Sequence, residues 1–184
     1  MSQVLRCTLL YSLGMGGALF LCLLLLPARL PGTTILGYAP NWLLIWLVGW
    51  SLRRPIPLAV GVGVCLGLLQ DSFVLPPEAG IFPTHALGLG VSGGLTAMLQ
   101  KQRYVQEDFI SVALIVFAMV VICETLNALQ RTFLGENLVQ VWSAHQRIAL
   151  SCAVLTSLWS PVLYFPLTQL RHWFYRSVHL VNKT

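Results

Sequence analysis

Phe109-Ile-Ser-Val-Ala-Leu-Ile-Val-Phe-Ala-Met-Val-Val-Ile-Cys-Glu124-Thr-Leu-Asn127-Ala-Leu-Gln130 is a run of 22 residues with one formal charge. As a helix it extends about 33 Å, enough to cross a hydrocarbon core of about 30 Å. Working outward, five more apolar stretches read the same way: Thr8–Leu26, Ile35–Leu52, Pro57–Leu75, Ile81–Leu99 and Arg147–Leu167. Pro27, Pro31, Pro40, Pro55, Pro76, Pro77 and Pro83 fall near their ends, where a missing amide donor is tolerated. Pro161 and Pro166 lie inside the last stretch and are expected to kink it or end it early. The whole chain agrees with this reading. Of its 184 residues 57% are hydrophobic and 9% charged, and the mean hydropathy is +0.77. A soluble domain carries about 25% charged residues to solvate its surface. The expected fold is therefore an all-α integral membrane protein, a compact bundle of about six transmembrane helices forming a single domain over residues 1–184.

Charge placement orients the bundle. With six spans and the N-terminus inside, the cytoplasmic segments hold Arg6, Arg53, Arg54, Lys101, Arg103, Arg171, Arg176 and Lys183, and the outer segments hold Arg29, Arg131 and Arg147. That ratio of 8 to 3 follows the positive-inside rule and places both termini in the cytoplasm, with a basic tail over 168–184. Five spans would put the tail charges on the wrong side. The net charge of +5 is spread singly and in pairs between apolar runs, so it reflects topology and does not indicate a nucleic-acid partner. Leu26-Pro27-Ala28-Arg29 offers no small-x-small cleavage site, so the first segment reads as a retained helix. Trp42, Trp142, Trp173 and Tyr175 sit near expected span ends, as interfacial aromatics do. The five dispersed cysteines have no CxxC spacing, so they read as small packing residues and imply neither a metal nor a cofactor.

Polar and small residues within the spans carry the functional information. Gly63-x-x-x-Gly67 and Gly90-x-x-x-Gly94 mark faces for close helix approach, expected chiefly inside the short hairpin of the third and fourth spans. Asp71 ends the third span and His85 lies early in the fourth, so a tight hairpin would let them hydrogen-bond across the link. Glu124 sits mid-span, where a carboxylate costs about 2.5–3.5 kcal/mol on insertion scales. Asn127 and Arg131 follow at i+3 and i+7, on the same helical face, which should turn away from lipid. A buried structural or partner contact, a ligand cavity and proton coupling all remain open for that face.

One motif invites a catalytic reading. Gly90-Val91-Ser92-Gly93 matches the serine motif of rhomboid intramembrane proteases, and Ala144-His145 resembles the start of their histidine motif. A serine–histidine dyad is sensible chemistry. Here, however, His145 precedes the last span while Ser92 lies mid-span, and no HxxxN supplies the oxyanion donors. No HExxH, nucleotide loop or carboxylate pair appears either.

Gly61-Val-Gly-Val-Cys-Leu-Gly67-Leu-Leu-Gln-Asp71, followed by Gly80-Ile-Phe-Pro-Thr-His85-Ala-Leu, resembles the signature hairpin of the rod shape-determining MreD family. Trp50-Ser-Leu-Arg53-Arg54-Pro55 resembles that family's inner turn. Leu99–Ile110 and His145–Leu150 look like its cyanobacterial branch. The link departs from the pattern at Pro76-Pro77-Glu78, which is stiffer and more acidic. The resemblance implies a non-enzymatic scaffold of the plasma membrane that binds MreC and works with MreB and the glycosyltransferase and transpeptidase of peptidoglycan elongation. It nominates Gly67, Asp71, Gly80 and His85 as structural or partner-binding residues; Glu124 and Asn127 join them on physical grounds alone. The family arrangement is also similar to the substrate-binding subunits of energy-coupling-factor vitamin transporters. That alternative needs a polar cavity between helices, for which Trp42, Trp46, Glu124 and Asn127 are candidates. A filled bundle would favour the scaffold.

The charge asymmetry makes a testable statement. A single cysteine placed after Lys183, in an otherwise cysteine-free chain, should resist a membrane-impermeant thiol reagent added to intact cells. Ready labelling from outside would overturn the orientation.

Overall fold

A computed structural model of the chain describes residues 2–27, 39–52, 54–74, 84–101 and 109–181. They form six helices: α1 (Ser2–Leu25), α2 (Trp42–Ser51), α3 (Ile56–Val74), α4 (Thr84–Lys101), α5 (Phe109–Phe133) and α6 (Leu138–Val181). No strand occurs among the described residues. The all-helical membrane architecture expected from the sequence is the one observed. Four stretches are long and apolar enough to cross a bilayer: Arg6–Leu25, Ile56–Phe73, Ile110–Phe133 and Leu138–Phe174. The apolar parts of α2 and α4, Trp42–Ser51 and His85–Leu99, are shorter.

Two helices differ in length from the sequence reading. In the stretch expected to span as Ile35–Leu52, the helix begins only at Trp42 and covers 10 residues, about 15 Å. Such a helix survives because it forms the core of the bundle. Trp42 through Val48 are all buried, and α2 touches each of the other five helices. A helix apolar on every side belongs inside a protein as readily as in a membrane. Trp42, expected at an interface, packs edge-on against Trp159 at 5.6 Å. Trp46 donates its indole N–H to the Met15 carbonyl at 3.2 Å. Trp142 and Trp173 are exposed.

Non-helical backbone leads into α2 and is bonded to α6. Asn41 Oδ1 accepts the Leu44 N–H (3.1 Å), capping the helix. The Asn41 N–H donates to Thr156 Oγ1 (3.0 Å), whose own hydroxyl donates to the Cys152 carbonyl (2.5 Å). The Cys152 thiol donates to the Ala39 carbonyl at 3.1 Å.

α6 runs 44 residues without ending at either proline, a length of about 66 Å. Pro161 has no N–H to offer the Ser157 carbonyl one turn back. Ser160 Oγ supplies that donor instead, at 2.8 Å. A serine beside the proline thus lets the helix continue where a break was expected. α1 lies along α6 antiparallel, with Tyr11 and Phe174 rings 4.8 Å apart. The start of α1 and the end of α6 therefore share one end of the bundle. Arg54 sits over the Trp50 ring at 5.2 Å near that same end.

The tightest packing joins α3 to α4. A Cβ on Gly67 would lie 2.6 Å from both the Ala86 nitrogen and the His85 carbonyl oxygen, and one on Gly63 would meet the Leu89 carbonyl. The two backbones are in contact, as small residues permit in lipid. Gly61, by contrast, faces open space. We therefore expect Gly67→Val to destabilise the bundle by about 1–3 kcal/mol through overpacking, with Gly61→Val within about 0.5 kcal/mol of the parent. Thermal unfolding of the purified chain in nanodiscs reads both; equal midpoints for the two variants would contradict the contact.

Candidate functional site

At the end of the bundle away from both termini, the helices enclose a cavity of about 610 Å³. That is within the range of about 300–1,000 Å³ usual for small-molecule sites. Its wall draws on α3, α4, α5 and α6, together with Leu26 just past α1 and residues Ala39–Asn41 that precede α2.

α5 contributes one face, Glu124, Asn127, Ala128 and Arg131, and the i, i+3, i+7 spacing read from the sequence is what aligns the three polar groups. Glu124 lies about 14 Å from the C-terminal end of its helix, nine residues at 1.5 Å each. Glu124 shares the cavity wall with His85, Asn127, His145 and Arg131. A tight turn then reverses the chain. Gly135 adopts φ 89°, a left-handed conformation that suits glycine. The Glu136 N–H returns to the Arg131 carbonyl at 3.2 Å. Asn137 caps α6 by accepting the Val139 N–H on Oδ1 at 3.1 Å. This compact reversal sets Arg131, Glu136, Asn137 and Gln140 around the cavity, with His145 and Cys152 further along α6.

α3 and α4 supply the opposite wall through Gln70 and His85. Asp71 stands behind His85 and fixes it twice. Its carboxylate accepts the His85 backbone N–H at 3.1 and 3.2 Å, and His85 Nδ1 lies 2.6 Å from Oδ1. The Asp71 carboxylate thereby caps the first turn of α4 from a neighbouring helix. Gly67, one turn before Asp71, is where that first turn rests. The glycine contact and the carboxylate clamp are thus neighbouring parts of one hairpin, holding the His85 ring against the cavity.

Of the residues singled out from sequence, His85, Glu124 and Asn127 meet at the cavity, while Asp71 and Gly67 position His85 from behind. Gly80 and the Pro76-Pro77-Glu78 departure lie outside the described residues. Trp42 and Trp46 belong to the core and do not line the cavity. Sequence reasoning missed Gln70, Asn41, Glu136 and Gln140. Gln70 carried a signal, since Gln-Asp is a polar pair closing an otherwise apolar helix. The serine–histidine pair is not assembled: buried Ser92 donates to the Gly88 carbonyl at 2.8 Å, and His145 Nε2 sits 3.5 Å from Thr125 Oγ1.

The fold and its cavity define a small polytopic membrane protein whose polar groups converge at one end of a helical bundle. The family follows from comparison with known sequences. The family model for the rod shape-determining protein MreD matches residues 8–170, nearly the whole chain, and the chain belongs to the MreD family. Membership carries a role in rod shape determination, in which the family works in a complex with MreB and MreC. No curated protein and no solved structure matches the chain.

The clamp gives a direct prediction. Asp71→Ala leaves the His85 N–H and imidazole without their acceptor in a buried hairpin and should cost about 1–3 kcal/mol. Asp71→Asn, which keeps one acceptor, should cost less. The order of unfolding midpoints in nanodiscs, parent above Asn above Ala, checks it.

Proposed function

We propose that this chain is a non-enzymatic scaffold of the cell-elongation machinery, embedded in the plasma membrane and bound to MreC. Through MreC it helps position MreB and the glycosyltransferase and transpeptidase that extend peptidoglycan. The family match over residues 8–170 carries this reading. The physical form of the molecule supports it. The described helices expose Leu9, Leu13, Phe20, Leu114, Leu158 and other large apolar side chains, the kind of surface on which another membrane helix packs.

The cavity favours a second reading, a substrate-binding subunit of the energy-coupling-factor type, since a scaffold needs no polar hollow near the centre of a span. Mild-detergent co-purification of the tagged full chain from its native host, followed by mass spectrometry, separates the two. Recovery of MreC with cell-wall synthases is the expected result. Recovery of an ATPase pair with a coupling subunit, and no MreC, would replace the scaffold by uptake.

A further inference from the structure

A second cavity, of about 120 Å³, lies at the end of the bundle where α1 starts and α6 finishes. Its wall includes Tyr11 of α1, Trp50 of α2, Arg54 just beyond α2, and Thr168, Arg171 and Phe174 of α6. Polar atoms predominate on the surface turned to it. The Thr168 hydroxyl is engaged with its own helix, donating to the Phe165 carbonyl at 2.7 Å. Among the described residues of the wall, the only charged groups are Arg54 and Arg171, and they carry the same sign.

The fold holds both arginines at this place. Tyr164, Thr168 and Arg171 follow at i, i+4 and i+7 on the face of α6 that bounds the cavity, and Arg171 is 8% exposed. Arg54 stands in a turn closed by its N–H on the Ser51 carbonyl at 3.0 Å. Its guanidinium lies over the Trp50 ring at 5.2 Å. That ring stacks on Trp46 at 5.8 Å, and Trp46 is anchored to the Met15 carbonyl. Arg54 thus rests on an aromatic platform fixed to the core. The described carboxylates, Asp71, Glu124 and Glu136, all stand toward the first cavity, at the opposite end of the bundle.

Two cations about one small cavity repel each other, and the arrangement is relieved by an anion placed between them. A guanidinium carries five N–H donors in a planar fork, more than a single acceptor uses, and the fork fits paired phosphate oxygens. The volume admits a group of a few heavy atoms and is too small for a nucleotide. Location names the source. This is the end that the charge asymmetry assigns to the cytoplasm, and basic pockets between helices on that side take anionic lipid headgroups. We infer that the cleft binds a phosphate group between Arg54 and Arg171, presented by the headgroup of an anionic phospholipid. The inference stands apart from the scaffold reading, because the cleft needs only a membrane and no protein partner.

The test measures unfolding midpoints of the purified full chain in nanodiscs of phosphatidylcholine, with phosphatidylglycerol titrated in or with inorganic phosphate added to the buffer. At about five times its effective dissociation constant, a one-site ligand raises the midpoint of a chain this size by about 2–4 °C. Phosphatidylglycerol should give that rise. Arg54→Gln should raise the phosphatidylglycerol fraction required about tenfold, the scale of one charge-assisted hydrogen bond, and Arg54→Gln with Arg171→Gln should abolish the response. Arg6→Gln removes the same charge from an exposed position at this end, outside the cleft, and should leave the response unchanged. Should the double variant fail to fold, Arg54→Gln alone decides, since Arg54 is exposed. A rise with inorganic phosphate that Arg54→Gln weakens would support the phosphate site and assign it to the free ion. No rise with either phosphate source, a rise unchanged in Arg54→Gln, or an equal loss in Arg6→Gln would overturn the inference. MreC recovery is read separately, so failure here leaves the scaffold reading intact.

Discussion

Buried backbone N–H and carbonyl groups must find partners within the protein, and the non-helical residues 39–41 are where this chain meets that constraint most directly. An unbroken helix would satisfy them within the segment. Here Thr156 accepts the Asn41 N–H, the Cys152 thiol serves the Ala39 carbonyl, and Asn41 caps the helix that follows. These bonds hold the start of α2 against α6, so the helix can be short, central and buried from Trp42 through Val48. The remaining helices pack around it, and the space left above its start becomes the cavity. Ala39, Pro40 and Asn41 accordingly belong to the cavity wall. The hollow and the broken segment share one cause.

Much of the architecture was legible because lipid makes simple demands. α1, α3 and α5 lie within a few residues of the apolar runs at Thr8–Leu26, Pro57–Leu75 and Phe109–Gln130. The α3–α4 hairpin was readable from its glycines, and the Asp71–His85 contact from their positions at its open end. The length of α2 was not readable, because hydropathy measures transfer out of water and gives a leucine facing lipid the same value as one facing protein. The continuity of α6 was hidden for a more local reason. Pro161 signals a break, and only the adjacent Ser160 hydroxyl, turned onto the Ser157 carbonyl, removes it.

The cavity was half legible. Glu124, Asn127 and Arg131 announce a polar face by spacing along one helix, which a sequence displays. Gln70, Gln140 and His145 join that face only through the way α3 and α6 are brought beside α5, which spacing along the chain does not encode. Trp42 and Trp46 show the converse error. Aromatic residues near a span end look like pocket or interface residues, yet a helix enclosed on all sides buries them. What fixes the site is therefore less the identity of any residue than the contact between backbones at Gly67, which sets where His85 stands.

The bonds that complete residues 39–41 reach 113 and 115 positions along the chain. α1, made first, likewise has its broadest contact with α6, which is made last. Synthesis therefore delivers α2 long before the groups that bond the backbone at its start. Until α6 arrives, that segment is better accommodated at the water interface, where solvent serves its open N–H and carbonyl groups. Integration of the bundle is consequently a late event with high contact order. A chain released before Cys152 and Thr156 would carry apolar helices into the bilayer and still lack its centre.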